Sequence, residues 1–520
     1  MTSIAILADA HLPGDSGTAQ HACFGWAIAQ LQRLQPDFIV AAGDMTACGD
    51  IDAARLVRQG LESVGVPFLS TPGNCEMRSL QTTSEIESLL LTGQVLENRE
   101  ILILACNTMT GAIAPDERQA AETIAATAGG RPLVLVTHYY PDALGADSAA
   151  WLREFLDHRQ VSLLICGHGH RDRTEMIGAT PAYYVRGLDP EKAKRATPAV
   201  FVFTHDAGTW SLDEIPFVDG TVDQWTAVER AEFLDNLGIS CVVADETFGS
   251  IDWAAQERLS CLELRADALG LPADLLGEHI AKWRDVGGRY LSWHMDNISW
   301  DPATRSMRGL DTWCRGLERA LTLDVQHLTL HPPHVPVGEM TPGSDTWMRI
   351  ADIVTAALEP VTDTDVVLAV ENLHLNPDEP ADVHRRFGYL PAECHGWIEE
   401  LRARLGPERV AFMLDIGHAR TNGAYNNRFG LGQWFATMGK EIAGYHIHQV
   451  RELENRLKGH LQIDNVFGPN LSFAAFFWAW KRHQINHCPM FIEVRGLAAR
   501  QASWRTMRDY LLEPMAPQLS

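Results

Sequence analysis

Seven metal-competent side chains fall in five short clusters of the first 170 residues: Asp9-Ala-His11, Gly43-Asp44, Gly73-Asn74-Cys75-Glu76, His138, and Gly167-His168-Gly-His170. Carboxylate, imidazole and amide-oxygen donors gathered in one place suit two divalent cations a few ångström apart that share one carboxylate. Such a pair activates water and clamps a phosphoryl group. A second set lies in the C-terminal half: His294, His331, Glu371, Asp415, His418, His446, His460 and Glu493. These are hard and borderline ligands, suited to zinc, manganese or magnesium. Glu371 and Glu493 also have the chemistry to carry a proton beside a polarised carbonyl. Taken singly, each residue has an ordinary explanation as a turn, cap or core group. The case for chemistry is their number and the regularity of their surroundings.

That regularity comes from the segments in front of them. From Ile4 to about Phe217, apolar runs (IAILAD, DFIVAAGD, PFLSTPGN, ILILACNT, LVLVTH, SLLICGH) alternate with helix-period stretches, and each run ends in a polar cluster. This is the pattern of an α/β domain that keeps its reactive groups on loops beyond strand ends. AYYVRG and AVFVFTHDAGTWSLDEI alternate instead and contain an Asp-Ala-Gly turn, the mark of a closing antiparallel hairpin. A polar stretch at 218–237 reads as a linker. Eight strand candidates follow, separated by helix-period segments: ISCVVAD, SCLELRA, RYLSWHMD, HLTLHPP, VVLAVENL, VAFMLDIGH, IAGYHIHQ and PMFIEVRG. Eight such repeats in about 280 residues predict a (β/α)8 barrel, and the second ligand set sits at the strands' C-terminal ends, where barrel enzymes work. The expected domains are therefore 1–217 and 238–520. On the second strand Glu263 and Arg265 are candidates for substrate recognition or for a buried ion pair, and Trp293 is a candidate to stack on a sugar. FAAFFWAWKRH has the spacing of a packed barrel helix.

Composition narrows the choice of substrates. The chain is 46% hydrophobic and 21% charged, as globular proteins are, and no run approaches the length of a membrane helix. Ten cysteines without a CxxC pair fit reduced thiols rather than a disulfide framework. The N-terminus lacks the basic region and cleavage site of a signal peptide, which leads us to expect a cytoplasmic protein. A formal net charge of −24 opposes binding to a long polyanion and favours small phosphorylated substrates. Oligomeric state is left open.

The ordered motifs DxH, GD, GN, H and GHxH, over residues 1–217, resemble the calcineurin-like metallophosphoesterase family. The resemblance implies a four-layer α/β sandwich and two divalent metals (Mn, Fe or Zn). Asp9, His11 and His170 would hold one ion, Asn74, His138 and His168 the other, and Asp44 would bridge them. Asp44, Asn74 and His138 are the expected catalytic centre. Many members have His after the GN pair to protonate the leaving oxygen; here it is Cys75, expected beside the substrate with less general-acid power. The motifs HPP, VENL, LDIGHA, YHIH and FIEVRG, over residues 238–512, resemble the xylose isomerase-like barrel superfamily, which includes sugar isomerases, epimerases and endonuclease IV. Glu371, Asp415, His446 and Glu493 match the ligands shared by the sugar enzymes, with Glu371 and Glu493 as catalytic candidates. His294, His331, His418 and His460 match further ligands of endonuclease IV, although Lys458 replaces an Asp found there, so between one and three metals are expected. The implied function is a metal-dependent phosphatase or phosphodiesterase joined to a sugar isomerase or epimerase. The alternatives are a nucleic-acid repair nuclease and a non-catalytic metal-dependent binding protein.

Overall fold

The structure, a computed structural model, describes residues 1–78, 83–376, 379–426, 428–454 and 456–513. The chain forms two compact units, Met1–Thr221 with Ser472–Ala475, and Val222–Leu471 with Phe476–Ser520.

Among the described residues the first unit is built on eleven strands: β1 Thr2–Leu7, β2 Phe38–Ala42, β3 Phe68–Thr71, β4 Val95–Glu97, β5 Leu102–Cys106, β6 Leu133–Thr137, β7 Leu163–Cys166, β8 Arg173–Ile177, β9 Thr180–Tyr184, β10 Ala199–Asp206 and β11 Thr209–Pro216. They form two sheets, ordered β11-β10-β1-β2-β3 and β4-β5-β6-β7-β9-β8. The central strands are apolar at nearly every position because both of their faces are covered. Ile4, Ile6, Val40 and Leu69 of the first sheet pack against Ile103, Val134, Val136 and Ile165 of the second. On the second sheet's other face, Leu104, Leu135 and Leu164 meet Leu152 and Phe155 of the helix Ala146–His158. Ala5, Leu7 and Ile39, on the first sheet's other face, are equally buried. The crossover helices Ala19–Leu34 and Ile51–Ser63, which join the parallel neighbours β1, β2 and β3, supply that cover. The layers therefore run α/β/β/α. The expected hairpin is β10–β11, closed by Ala207 and Gly208, both at positive φ (48° and 86°), as a two-residue turn between twisted strands requires.

The second unit contains β12 Leu237–Ser240, β13 Cys261–Arg265, β14 Tyr290–His294, β15 Ser299–Asp301, β16 Ser306–Arg308, β17 His327–Leu330, β18 Val367–Glu371, β19 Val410–Asp415, β20 Ile442–Ile447, β21 Gln449–Leu453, β22 Arg456–Leu461 and β23 Met490–Ile492. Eight of these close into a parallel barrel, β12-β13-β14-β17-β18-β19-β20-β23. Each matches one of the eight apolar runs, but β12 begins earlier than its run, because Leu237 and Ile239 pair with Met490 and Ile492 of β23. Two hairpins, β15–β16 and β21–β22, are added beyond the C-terminal ends of β14 and β20. The segment read as a linker contains a helix, Ala227–Asp235, opened by a Thr226/Glu229 capping box. Its buried Phe233 packs on Phe476, Phe477 and Trp480, so the aromatic stretch is a packed helix, as its spacing predicts. Among the described residues no helix is long and apolar enough to cross a membrane.

Barrel closure leaves no room at Gly238 on β12, where a Cβ would lie 2.0 Å from the backbone oxygen of Cys261. Gly238→Ala is expected to destabilise the barrel by about 1–3 kcal/mol, read by chemical denaturation. Wild-type stability in this variant would show that the strands can separate there.

Candidate metal centres

In the first unit the loops after β1, β2, β3, β6 and β7 bring all seven expected ligands together. The first two loops are stitched by backbone bonds, Asp9 N–H to Gly43 O (2.9 Å) and His11 N–H to Asp44 O (3.0 Å). Asp9, His11, Asp44, His168 and His170 all have left-handed backbone, with φ of 49°, 45°, 52°, 66° and 52°. Non-glycine residues adopt this region at a cost, and a cluster of them is a mark of function. Candidate ligand atoms of Asp9, His11 and His170 lie within 4.8 Å of one another, as do those of Asp44, His138 and His168. Asp44 Oδ2 is 3.8 Å from His11 Nε2 and 3.4 Å from His138 Nε2, which places it between the two sets.

What these groups lack is a positive charge between them. His138 Nδ1 is 2.9 Å from Ala42 O, a carbonyl that only accepts, so Nδ1 carries the proton. Its Nε2 then turns a lone pair toward Asn74 Oδ1 (3.2 Å) and Asp44 Oδ2, both acceptors. Without a cation, only a second proton on His138 relieves this; against its burial, Asp44 accordingly lifts the imidazole to about 9. His11 Nε2 faces His170 Nε2 at 3.3 Å, and His170 Nδ1 is buried with no hydrogen-bond partner. Burial pushes the carboxyl of Asp9 up to about 8, although it accepts from the backbone N–H of His168 at 2.9 Å. A pocket of facing lone pairs and a displaced carboxyl fits divalent cations.

Cys75, expected beside the substrate, is instead fully buried. Its thiol donates to Asp44 Oδ2 at 3.0 Å and lies 3.4 Å from His11 Nδ1, and burial raises its pKa. The neighbouring Glu76, present in the motif but given no role from sequence, is completely buried. It accepts from the backbone N–H groups of Asp44 (3.1 Å), Thr46 (2.8 Å) and Gly73 (2.7 Å), locking the second and third loops together. Gly73 must be glycine, since a Cβ there would lie 2.3 Å from Asp44 Oδ1.

In the barrel the eight expected ligands converge at the C-terminal ends of the strands and on β22. His294 Nε2 and His331 Nε2 each lie 3.0 Å from Glu371 Oε2. His294 Nδ1, 2.9 Å from Met295 O, carries its ring's proton, so its Nε2 again presents a lone pair to a carboxylate. His446 Nδ1 is 3.0 Å from both Glu371 Oε1 and Glu493 Oε2. His418 Nδ1 donates to Asn372 O (2.9 Å), leaving Nε2 to face His460 Nε2 at 3.1 Å and Asp415 Oδ2 at 3.6 Å. Against burial, His446 and His331 hold Glu371 well below the usual carboxylate range, and burial takes His460 down to about 4. This donor set also fits divalent ions. A cavity of about 160 Å³ opens on Glu371, His418, His460 and Glu493.

Two expectations need correction. Glu263 is fully buried beneath the site and takes the Nε2–H of His446 at 2.8 Å, with Thr329 and Ser292 hydroxyls also donating to it; it orients the His446 ring and is shut off from solvent. Trp293 is fully buried and turned outward toward Gly316 of the helix Leu310–Thr322, because strand alternation sends Ser292 and His294 inward. Arg265 makes the ion pair, with Glu493. Three roles went unseen in the sequence. Asn372 clamps Asp415, donating to its O (3.0 Å) and accepting from its N–H (2.8 Å); its place directly after Glu371 in VENL was the available signal. His448 accepts the backbone N–H of His460 at Nδ1 (2.7 Å), so its Nε2–H donates to Asp415 (3.0 Å), and with Asp415, His418 and His460 it forms a group close enough to hold a metal ion. His374, its ring 4.5 Å from that of His418, joins the cavity wall.

Residues 2–172 match the family model for calcineurin-like phosphoesterases and residues 285–513 that for the xylose isomerase-like TIM barrel. Among solved structures, a D-tagatose 3-epimerase-like protein is similar over 53% of this chain and 97% of its own (19% identity, TM-score 0.39). Endonuclease IV from Thermus thermophilus is similar over 54% and 99% (16% identity, TM-score 0.39). A dimetal phosphatase from Danio rerio is similar over 41% and 96% (11% identity, TM-score 0.35). No curated protein matches the chain. The two family matches fall in the order their motifs predict, and the chain carries a calcineurin-like phosphoesterase domain followed by a xylose isomerase-like barrel.

Proposed function

We propose that the chain is a bifunctional metalloenzyme whose first unit hydrolyses a phosphate ester or diester of a small, sugar-like molecule and whose barrel isomerises or epimerises a sugar. The observation that carries this is the convergence, in each unit, of buried lone pairs on one another that only a cation, or an added proton in its place, can separate. In the first unit Asp9, His11 and His170 would hold one divalent ion (Mn, Fe or Zn) and Asn74, His138 and His168 a second, with Asp44 serving both. Such a pair makes water acidic and neutralises phosphoryl charge. The chain itself offers the leaving oxygen little: the Cys75 proton is committed to Asp44, and burial makes that thiol a weaker acid.

In the barrel, Glu371, Asp415, His446 and Glu493 would hold a zinc, manganese or magnesium ion, with the four further histidines available to others. A metal there polarises carbonyl and hydroxyl oxygens. Glu371 and Glu493 both face the cavity, placed to take a proton from one carbon and return it to a neighbour. Arg265 holds Glu493 ionised: against burial, the guanidinium keeps its carboxyl below the usual range. A second reading, a repair nuclease, is favoured by the position of His294, His331, His418 and His460 in one cluster. The net charge of −24 ranks it lower, and salt-sensitive binding and incision of abasic DNA would reverse the order.

Three outcomes follow from these assignments. Asp44→Ala should lower hydrolysis of bis-p-nitrophenyl phosphate by about three orders of magnitude, whereas Glu371→Gln should leave it within about twofold. Equal losses in both variants would refute separate sites. Because Cys75 is a poor proton donor, turnover of aryl phosphodiesters should fall steeply as the leaving phenol becomes less acidic; a flat dependence would reveal another acid. Glu263→Gln should weaken metal binding in the barrel about 10- to 100-fold by chelator competition, with the first unit's metal content unchanged by elemental analysis. An unaltered barrel affinity would mean that the Glu263–His446 bond is dispensable.

A further inference from the structure

The 160 Å³ cavity at the barrel's ligand cluster is not closed on all sides. It shares Arg265 and Asn297 with a second cavity of about 340 Å³ at the same end of the barrel, which also reaches His294. At roughly 15 Å³ of probe-filled space per water-sized group, the first cavity holds about ten such groups, the size of one sugar ring. By the same measure the second has room for a further ring and more. A monosaccharide bound at the cluster would leave this larger space filled only with water.

The lining of the second cavity points to what belongs there. Asp267, Asp296 and Arg495 are exposed in its wall, and among the described residues their side chains have no intramolecular partner. Arg265, at the junction, is already neutralised by Glu493. Two free carboxylates against one free guanidinium give a slightly negative surface, which disfavours a phosphate or carboxylate ligand. Carboxylates that only accept, beside guanidinium and amide groups that donate, match the hydroxyls and ring oxygens of a neutral polyol. Val242 and Val243 add an apolar patch for the C–H face of a ring.

Resting on the sugar-directed reading of the barrel, we propose that its substrate is a disaccharide or glycoside. The reacting ring lies at the ligand cluster, and a second polyhydroxyl ring occupies the cavity bounded by Asp267, Asp296 and Arg495. The pinned Arg265 guanidinium and Asn297 stand at the point where the glycosidic bond would cross from one space to the other.

The test is calorimetric titration of the metal-replete, full-length protein with glucose, galactose and fructose, and with cellobiose, maltose, lactose and sucrose. It is repeated on Asp267→Ala/Asp296→Ala, a surface double variant, and on Glu371→Gln. At least one disaccharide should bind tenfold or more tightly than its component sugars. The double variant should abolish that gain while leaving monosaccharide affinity within twofold. Monosaccharide binding that is lost in Glu371→Gln, with no disaccharide gain, would overturn the second subsite and leave the sugar reading standing. A gain that survives the double variant would likewise overturn the subsite. Absence of binding by every sugar would overturn the sugar reading and the subsite together.

Discussion

The constraint on which both sites depend is that a nitrogen or oxygen lone pair buried against another lone pair is repulsive unless something positive lies between them. His138 Nε2 against Asp44 and Asn74, and His294 Nε2 against Glu371, are held in that arrangement by bonds made elsewhere on the same rings, to Ala42 O and Met295 O. Those outer bonds remove the freedom to rotate away or to change tautomer. The surrounding structure therefore specifies a cation, or a proton in its place, before any ligand arrives.

The two units enforce this by different means. In the phosphoesterase unit the candidate ligands sit on tight loops, and five of them are held in left-handed backbone at a cost of order 1–3 kcal/mol each. The two packed sheets and the buried Glu76, which ties three backbone N–H groups, absorb that strain. In the barrel most candidate ligands lie within one residue of the C-terminal end of an extended strand, where parity aims them inward, and His460 on β22 is the one of the eight at positive φ (54°). There precision comes from side chains below and beside the ligands: Glu263 under His446, Asn372 and His448 around Asp415.

This difference decides how much was legible in the sequence. Candidate ligands at strand ends, such as Glu371, Asp415 and Glu493, follow apolar runs, and the order of those runs was enough to group them on one face of the barrel. The GD, GN and GH motifs were legible for a steric reason, since the close approach of loop to ligand excludes a side chain at Gly73. Supporting residues were harder, because a buried Glu on strand two looks the same whether it faces substrate or the back of a histidine. Only the closed barrel, which sets β13 and β20 across the interior from each other, separates the alternatives for Glu263. Trp293 was decidable in principle: if His294 points inward, its strand neighbour cannot. The start of β12 was not, because its first residues are recruited by pairing with β23, more than 250 positions later.

The supply of protons separates the two chemistries. Around Asp44 the Cys75 thiol is engaged on Asp44 itself and the backbone N–H groups of Gly73 and His168 on Glu76 and Asp9, so on the proposed hydrolysis charge neutralisation would do most of the work on a departing oxygen. The barrel has the opposite endowment. Glu371 and Glu493 face one cavity, held ionised by His446, His331 and Arg265, with His374 beside them. On the proposed reading, ionised carboxylates beside a polarised carbonyl would be bases first, and a base that must also return its proton needs a partner at similar reach. A substrate that loses and regains a proton fits the barrel, and one that only needs charge removed from a good leaving group fits the first unit.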